Sequence, residues 1–219
     1  MRLYRIAALA IFATCCSWAS NITVINSSFE TPILGDDYGV PGLYMYHPVG
    51  ASWNWSGSSG IAADNSAFNL TDAPNGNQAA FIQRQTGEMD QFLTGLIVGE
   101  TYVVSFQAAQ RPDLQGTTSE GITNGYGYGG GQDFEVLWDS TSLGIFSPDS
   151  TDFSLYLTAR FVATDTTGTL KFQGLDTLGG DRTAFIDAIG VSSVPEPGSA
   201  VTLLSGLGLI ALGLRRKSS

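Results

Sequence analysis

Two short stretches, Tyr44-Met45-Tyr46 and Trp53-Asn54-Trp55, place aromatic residues at alternate positions. In an extended chain each pair projects to one face. Aromatic faces of this kind stack on sugar rings, while an amide neighbour such as Asn54 fixes orientation. The same residues also suit a packed core, and the sequence leaves both roles open. Arg111, in Gln110-Arg111-Pro112, offers a planar fork of donors for a sugar hydroxyl or a uronate, or for Asp113, Glu120 or Asp181 within the chain. Arg182 beside Asp181 has the same two uses. Tyr126 and Tyr128 lie in a glycine-rich run, 124–131, that reads as a surface loop.

Catalytic chemistry is poorly provided for. His47 is the one histidine of the chain, both cysteines (Cys15, Cys16) lie near the N-terminus, and no Gly-x-Ser-x-Gly occurs. Gly125-x-Gly127-x-Gly129 precedes no helical pattern and is not a nucleotide loop. The acids Asp36, Asp37, Asp64, Asp72, Asp176 and Asp181 have no EF-hand or nonapeptide spacing and read as turn residues. Paired carboxylates for glycoside hydrolysis remain the one enzymatic alternative, and the expectation is that the protein is not an enzyme.

The elements that must position these residues lie between two terminal signals. Arg2 and Arg5 precede the apolar stretch 6–16, and Ser17-Trp18-Ala19 supplies small residues for cleavage after Ala19, so 1–19 reads as a secretory signal peptide. A lipoprotein leader using Cys15 or Cys16 is the lesser alternative. A mature chain so produced has no thiol or disulfide. At the other end, an apolar run over 198–214 is followed by Arg215, Arg216 and Lys217. Seventeen residues make a helix of roughly 25 Å, slightly short for a hydrocarbon core of about 30 Å. The basic end fits a cytoplasmic tail, 215–219. The expectation is a transmembrane helix over 198–214, with a buried C-terminal helix as the alternative.

Between the signals, residues 20–194 hold 5 basic and 19 acidic residues, a net of −14. Such a polyanion argues against nucleic acid and anionic lipid surfaces as partners. Period-two alternation predicts strands over 21–25, 79–83, 89–93, 101–110, 133–138, 142–146, 154–162, 169–173 and 184–191, separated by Gly-, Asn- and Asp-rich turns. In 154–162, Leu155, Leu157, Ala159 and Phe161 form one face, Tyr156, Thr158 and Arg160 the other. Short strands at about ten-residue spacing predict an all-β, antiparallel β-sandwich over 20–191, with jelly roll the leading topology. Residues 20–46 and 117–131 read as long loops, and 192–197 as a linker.

Val194-Pro195-Glu196-Pro197, the apolar run and the Arg-rich end, in that order, resemble the PEP-CTERM sorting signal of Gram-negative bacteria. The resemblance implies secretion, temporary anchoring in the inner membrane, and processing by an exosortase. The product then resides at the cell surface or in an exopolysaccharide matrix. In the domain ahead of it, Asn26-Ser27-Ser28-Phe29-Glu30-Thr31-Pro32, Gly76-Asn77-Gln78-Ala79-Ala80-Phe81, Val104-Ser105-Phe106-Gln107-Ala108-Ala109-Gln110-Arg111-Pro112, Phe134-Glu135-Val136, Leu143-Gly144 and Thr183-Ala184-Phe185-Ile186-Asp187 resemble secreted carbohydrate-binding-like domains with a galactose-binding-type jelly roll. That resemblance implies glycan or cell-wall polymer binding, for which the chemistry of Trp53, Trp55, Tyr44, Tyr46 and Arg111 makes them the candidate contacts. It also implies a structural Ca²⁺ shared by an acid after the first strand and one near the start of the last, here Glu30 and Asp187. A matrix component with no specific ligand is the alternative from another class.

Overall fold

The computed structural model describes residues 20–35, 43–112, 131–177 and 182–194. The signal peptide, Pro195, Glu196, Pro197, the apolar run, the loop tyrosines Tyr126 and Tyr128, and Asp113, Glu120 and Asp181 lie outside the described residues. Among the described residues no helix is long and apolar enough to cross a membrane.

The longest alternating stretch, Thr101-Tyr-Val-Val-Ser-Phe-Gln-Ala, buries Tyr102, Val104, Phe106 and Ala108 on one side and leaves Val103, Ser105 and Gln107 half-buried on the other. A strand is the conformation that sorts residues with period two. It pairs along its length with the last strand, Thr183–Ser193. In chain order the strands are β1 (Asn21–Ile22), β2 (Tyr44–Tyr46), β3 (Asn54–Ser56), β4 (Ser59–Ala63), β5 (Gln78–Gln83), β6 (Glu88–Thr94), β7 (Thr101–Gln110), β8 (Phe134–Trp138), β9 (Thr141–Phe146), β10 (Ser154–Leu157), β11 (Phe161–Val162), β12 (Thr167–Gly174) and β13 (Thr183–Ser193). They form two antiparallel sheets. One runs β10-β7-β13-β5-β4-β2, with β1 added to β13 and β11 to β7; the other runs β3-β6-β12-β8-β9. The protein is the all-β sandwich that the alternation predicts, and Ser20–Ser193 forms one compact unit.

The inner faces meet in an aromatic core. Phe106 lies 5.4 Å from Phe172 and 5.7 Å from Phe134, ring centre to ring centre, in tilted and edge-on pairs. All three are fully buried, and each such side chain contributes about 1.5–3 kcal/mol. Trp138 stacks on Phe161 at 4.5 Å, across the two sheets. Gly168 is required beneath it, because a Cβ there would fall 2.3 Å from the indole. A second cluster covers part of the outer face of the eight-stranded sheet: Phe81 and Phe185 from the strands, Phe68 and Leu70 from the segment between β4 and β5. That segment is closed by Asp64 N–H to Asn77 O and Asn65 N–H to Leu70 O, both 2.8 Å.

Three strands, β2, β3 and β4, fall outside the stretches expected from alternation. Two have only three residues. Ser59–Ala63 is buried throughout, so it carries no alternation. The stretch 154–162 has its faces reversed at the start. Leu155 and Leu157 are exposed, while Tyr156 packs between Phe106 (5.7 Å) and Phe146 (5.8 Å). The phase then slips at Thr158, whose buried hydroxyl accepts the Val104 N–H (3.2 Å) and donates to Ala159 O (2.8 Å). Ala159 N–H crosses to Leu143 O of the other sheet (2.8 Å). Finally, Ser192 and Ser193, expected in the linker, are the last residues of β13, paired to Val103 and Tyr102.

Candidate functional site

Glu30 and Asp187, 157 positions apart in sequence, fasten on the same short segment between the clusters and β5. Asp187 is fully buried at the point where β13 breaks register: the ladder to β7 slips between Asp187 and Gly190, and Ala188 has φ +50°. One carboxylate oxygen accepts the Ala188 N–H (2.6 Å), the other the Asn75 N–H (2.9 Å). Glu30, in the turn that follows β1, accepts the N–H groups of Asn77 (3.0 Å) and Gln78 (2.8 Å) on a single oxygen. The Gln78 side chain returns the contact, donating to Phe29 O (2.6 Å) and Pro32 O (3.0 Å). Gly76 sits in the middle with φ +104°, and a Cβ there would lie 2.3 Å from the Glu30 carboxyl carbon. Asp64 closes the group by accepting the Ala73 N–H (3.2 Å).

Three carboxylates in one corner repel. Burial, first, and then the charges of Glu30 and Asp64 push the Asp187 carboxyl up to about 7, against the pull of the Ala188 and Asn75 amides. Removing a carboxylate from water disfavours its charged form, and no ion pair within the described residues offsets this. The arrangement suits a hard cation in charge. Each Asp187 oxygen accepts one N–H and keeps a second lone pair, Glu30 takes both of its N–H groups on one oxygen, and Glu30, Asp187 and Asp64 come from three separate segments. Among the described residues no three His, Cys, Asp or Glu side chains form a ready metal cluster. Calcium takes six to eight oxygens, so here backbone carbonyls would have to complete the shell.

The remaining candidates from the sequence scatter. Trp53 is 5 % exposed, its Nε1–H donating to Asn26 O (3.2 Å) and its ring 5.4 Å from Phe29. It serves the core. Trp55 also points inward from β3, edge-on to Phe29 at 6.0 Å. Alternation puts Asn54 on the opposite face, so the tryptophans and the amide do not converge. Tyr44 and Tyr46 do share a face, with rings 6.0 Å apart over Phe68 and Phe81. Tyr46 is 43 % exposed, and its hydroxyl donates to Gln83 (2.7 Å). Arg111 is withdrawn from solvent at 7 % exposure. It donates to Phe68 O (3.1 Å) and Ala67 O (2.9 Å), and its guanidinium lies 4.5 Å above the Phe68 ring. It clamps the 64–77 segment to the sheet, a task the sequence did not assign to it. Arg182 pairs with Asp176 at 3.7 Å.

Sequence reasoning missed the outer face of the five-stranded sheet. Its register sets out cross-strand rows: Ser56, Glu88, Gln173, Glu135 and Ile145; Asn54, Asp90, Lys171, Leu137 and Ser142; and Phe92 beside Thr169. Phe92 is 62 % exposed. Around it, Asn54 donates to Asp90 (2.8 Å) and Lys171 pairs with Glu88 (3.2 Å), so the polar groups are held by neighbours within the sheet. An exposed ring flanked by ordered amides and carboxylates is the surface that the alternating aromatics were expected to build elsewhere. The signal was present in Glu88-Met-Asp-Gln-Phe92-Leu-Thr, where Glu88, Asp90 and Phe92 share one parity.

Comparison with family models matches residues 193–217 to the PEP-CTERM protein-sorting motif. The curated proteins give no match. Among solved structures, the Stig cyclase Fisc from Fischerella sp. TAU is 19 % identical with a TM-score of 0.55, covering 81 % of this chain and 99 % of that one. TmCBM61, solved with β-1,4-galactotriose, is 14 % identical with a TM-score of 0.46, covering 78 % and 98 %. The CBM22-1 xylan-binding domain from Paenibacillus barcinonensis Xyn10C is 10 % identical with a TM-score of 0.43, covering 71 % and 97 %. At these identities the likeness is one of fold. The chain is therefore an antiparallel β-sandwich followed directly by a PEP-CTERM sorting motif.

Proposed function

We propose that the protein is an exported surface or matrix component of a Gram-negative bacterium, sorted by its C-terminal motif, whose sandwich binds polysaccharide without catalysing a reaction. The observation that carries the binding reading is the outer face of the five-stranded sheet. Phe92 offers a ring to the C–H face of a sugar, and Asn54, Asp90, Thr169, Gln173 and Glu135 offer donors and acceptors to its hydroxyls. Tyr46 supplies a smaller second platform on the other sheet. Glu30 and Asp187, with backbone carbonyls, would hold a structural calcium ion. Such an ion would keep both carboxylates charged and tie the first turn to the last strand.

Affinity electrophoresis of the purified protein through a panel of polysaccharides tests the reading, with release of reducing ends assayed in parallel. Retardation by at least one polymer without new reducing ends is expected. No retardation by any of them, with calcium present, rejects the binding reading in favour of a ligand-free matrix protein. New reducing ends reject the non-catalytic one. For sorting, the intact mass in cells with and without an exosortase gives the answer: an identical C-terminus in both defeats processing.

A further inference from the structure

The charge on the five-stranded face narrows the ligand. Its outward side chains include three acids, Glu88, Asp90 and Glu135, and one cation, Lys171. Lys171 lies opposite Asp90 in the register yet pairs with Glu88. Asp90 is held by the Asn54 amide and Glu135 by no hydrogen-bonding group among the described residues. Two carboxylates thus stay without a cation on a half-buried face, in a domain of net −14.

They are also spaced for a polymer. Glu135 lies two strands and one row from Asp90, about 12 Å given a strand spacing near 4.8 Å and an alternate-residue step near 6.8 Å. That exceeds one sugar ring. Asp90 and Phe92 are alternate residues of β6, about 7 Å apart.

Resting on the polysaccharide-binding reading above, we infer that this face takes a polysaccharide bearing protonated amines, one sugar stacking on Phe92 and ammonium groups meeting Asp90 and Glu135. Charge complementarity selects this ligand over uronate polymers, which the face repels. It also selects over neutral glycans, which leave both carboxylates without a counter-charge.

The test is calorimetric titration of the purified protein with glucosamine oligomers, their N-acetylated counterparts and neutral glucan oligomers, at a pH that protonates the amines. The glucosamine oligomer is expected to bind best and to weaken with added salt. Phe92→Ala weakens it about tenfold and Glu135→Gln up to about fivefold, with melting temperature unchanged. Asp152→Asn, an exposed acid in the turn before β10, leaves affinity as it was. Because a polycation adheres to any polyanion, the uncharged change is decisive. If Phe92→Ala binds as the wild type does, the site is wrong. Equal binding of the N-acetylated or glucan oligomer overturns the amine specificity and leaves polysaccharide binding standing, whereas no binding of any oligomer overturns both.

Discussion

Replacing Asp187 by asparagine tests whether a buried, unbalanced charge limits the stability of the metal-free protein. In the folded state the carboxyl titrates near 7, against 3.8 for a free side chain. Between those values the folded chain holds a proton that the unfolded chain has released. Stability therefore falls as pH rises from about 4 to about 7, and the contribution is absent above that. At about 1.4 kcal/mol per pH unit, the loss is at most about 4 kcal/mol. Asparagine removes the titration but has one acceptor where aspartate has two, so either the Asn75 or the Ala188 N–H loses its partner, at about 1 kcal/mol. In EDTA, then, Asp187→Asn should be the less stable protein at pH 3.5, by up to about 1 kcal/mol, and the more stable at pH 8, by up to about 3 kcal/mol. The two curves cross.

Urea unfolding at half-unit steps from pH 3.5 to 8.5 gives both curves, and subtracting the variant removes every other titrating group. Calcium should lift the wild type at pH 8, by about 2.7 kcal/mol at a hundredfold excess over Kd, and leave the variant where it was. A wild-type curve in EDTA that is flat or rises from pH 5 to 8 would refute the argument. So would a variant that falls with the same slope.

Three further substitutions probe this corner, the clamp on the 64–77 segment and the β7 edge. Gly76→Ala forces a side chain into φ +104° and against the Glu30 carboxyl; it should lower unfolding free energy by about 1–3 kcal/mol and abolish the calcium-dependent rise in melting temperature. Arg111→Lys keeps the charge but loses the planar fork to Ala67 and Phe68 and the stack on Phe68. A loss of about 2–3 kcal/mol in urea is expected, with faster proteolysis inside 64–77. Thr158→Val keeps the shape and leaves the Val104 N–H without its acceptor, costing about 1–3 kcal/mol by the same measurement; an unchanged midpoint would mean that water replaces the hydroxyl.

Much of the fold was legible because most of the long strands, β6, β7, β8 and β12 among them, have one dry face. Nine stretches read from alternation all contain strands; β12 keeps strict period two from end to end, and β7 does so as far as Ala108. Failure came where that condition lapses. Ser59–Ala63 is dry on both faces, and along β10 it is Tyr156 that turns inward, onto Phe106 and Phe146, while Leu155 and Leu157 face solvent. The candidate site was less legible. Asp187 reads as an outward residue of an alternating strand, and only the cover formed by 64–77 makes it buried. Arg111 looked available for a ligand because its partners are backbone carbonyls, which no sequence pattern marks.

Gln91 and Phe92 show why the outer face of the five-stranded sheet was not read from the sequence. Hydropathy alone would put Phe92 inside and Gln91 outside; β6 does the reverse. The buried glutamine is explained by its own bonds. Its oxygen accepts the Ile25 N–H, and its amide donates to Ile25 O and Ser52 O, each at 2.9 Å. It staples the turn after β1 and the turn before β3 to the sheet, and three satisfied hydrogen bonds make a buried amide tolerable. The strand's parity is thus fixed by Met89, Gln91 and Leu93 together. Phe92 is carried outward by that parity, yet parity does not require an aromatic there. A threonine, as at Thr94, would serve the strand as well without setting a large apolar ring in water. Among the described residues Phe92 touches no other ring, and its row neighbour Thr169 is bonded to Asp139 through its backbone N–H and carbonyl. The choice of phenylalanine has no account in packing, whereas it has one in stacking against a sugar.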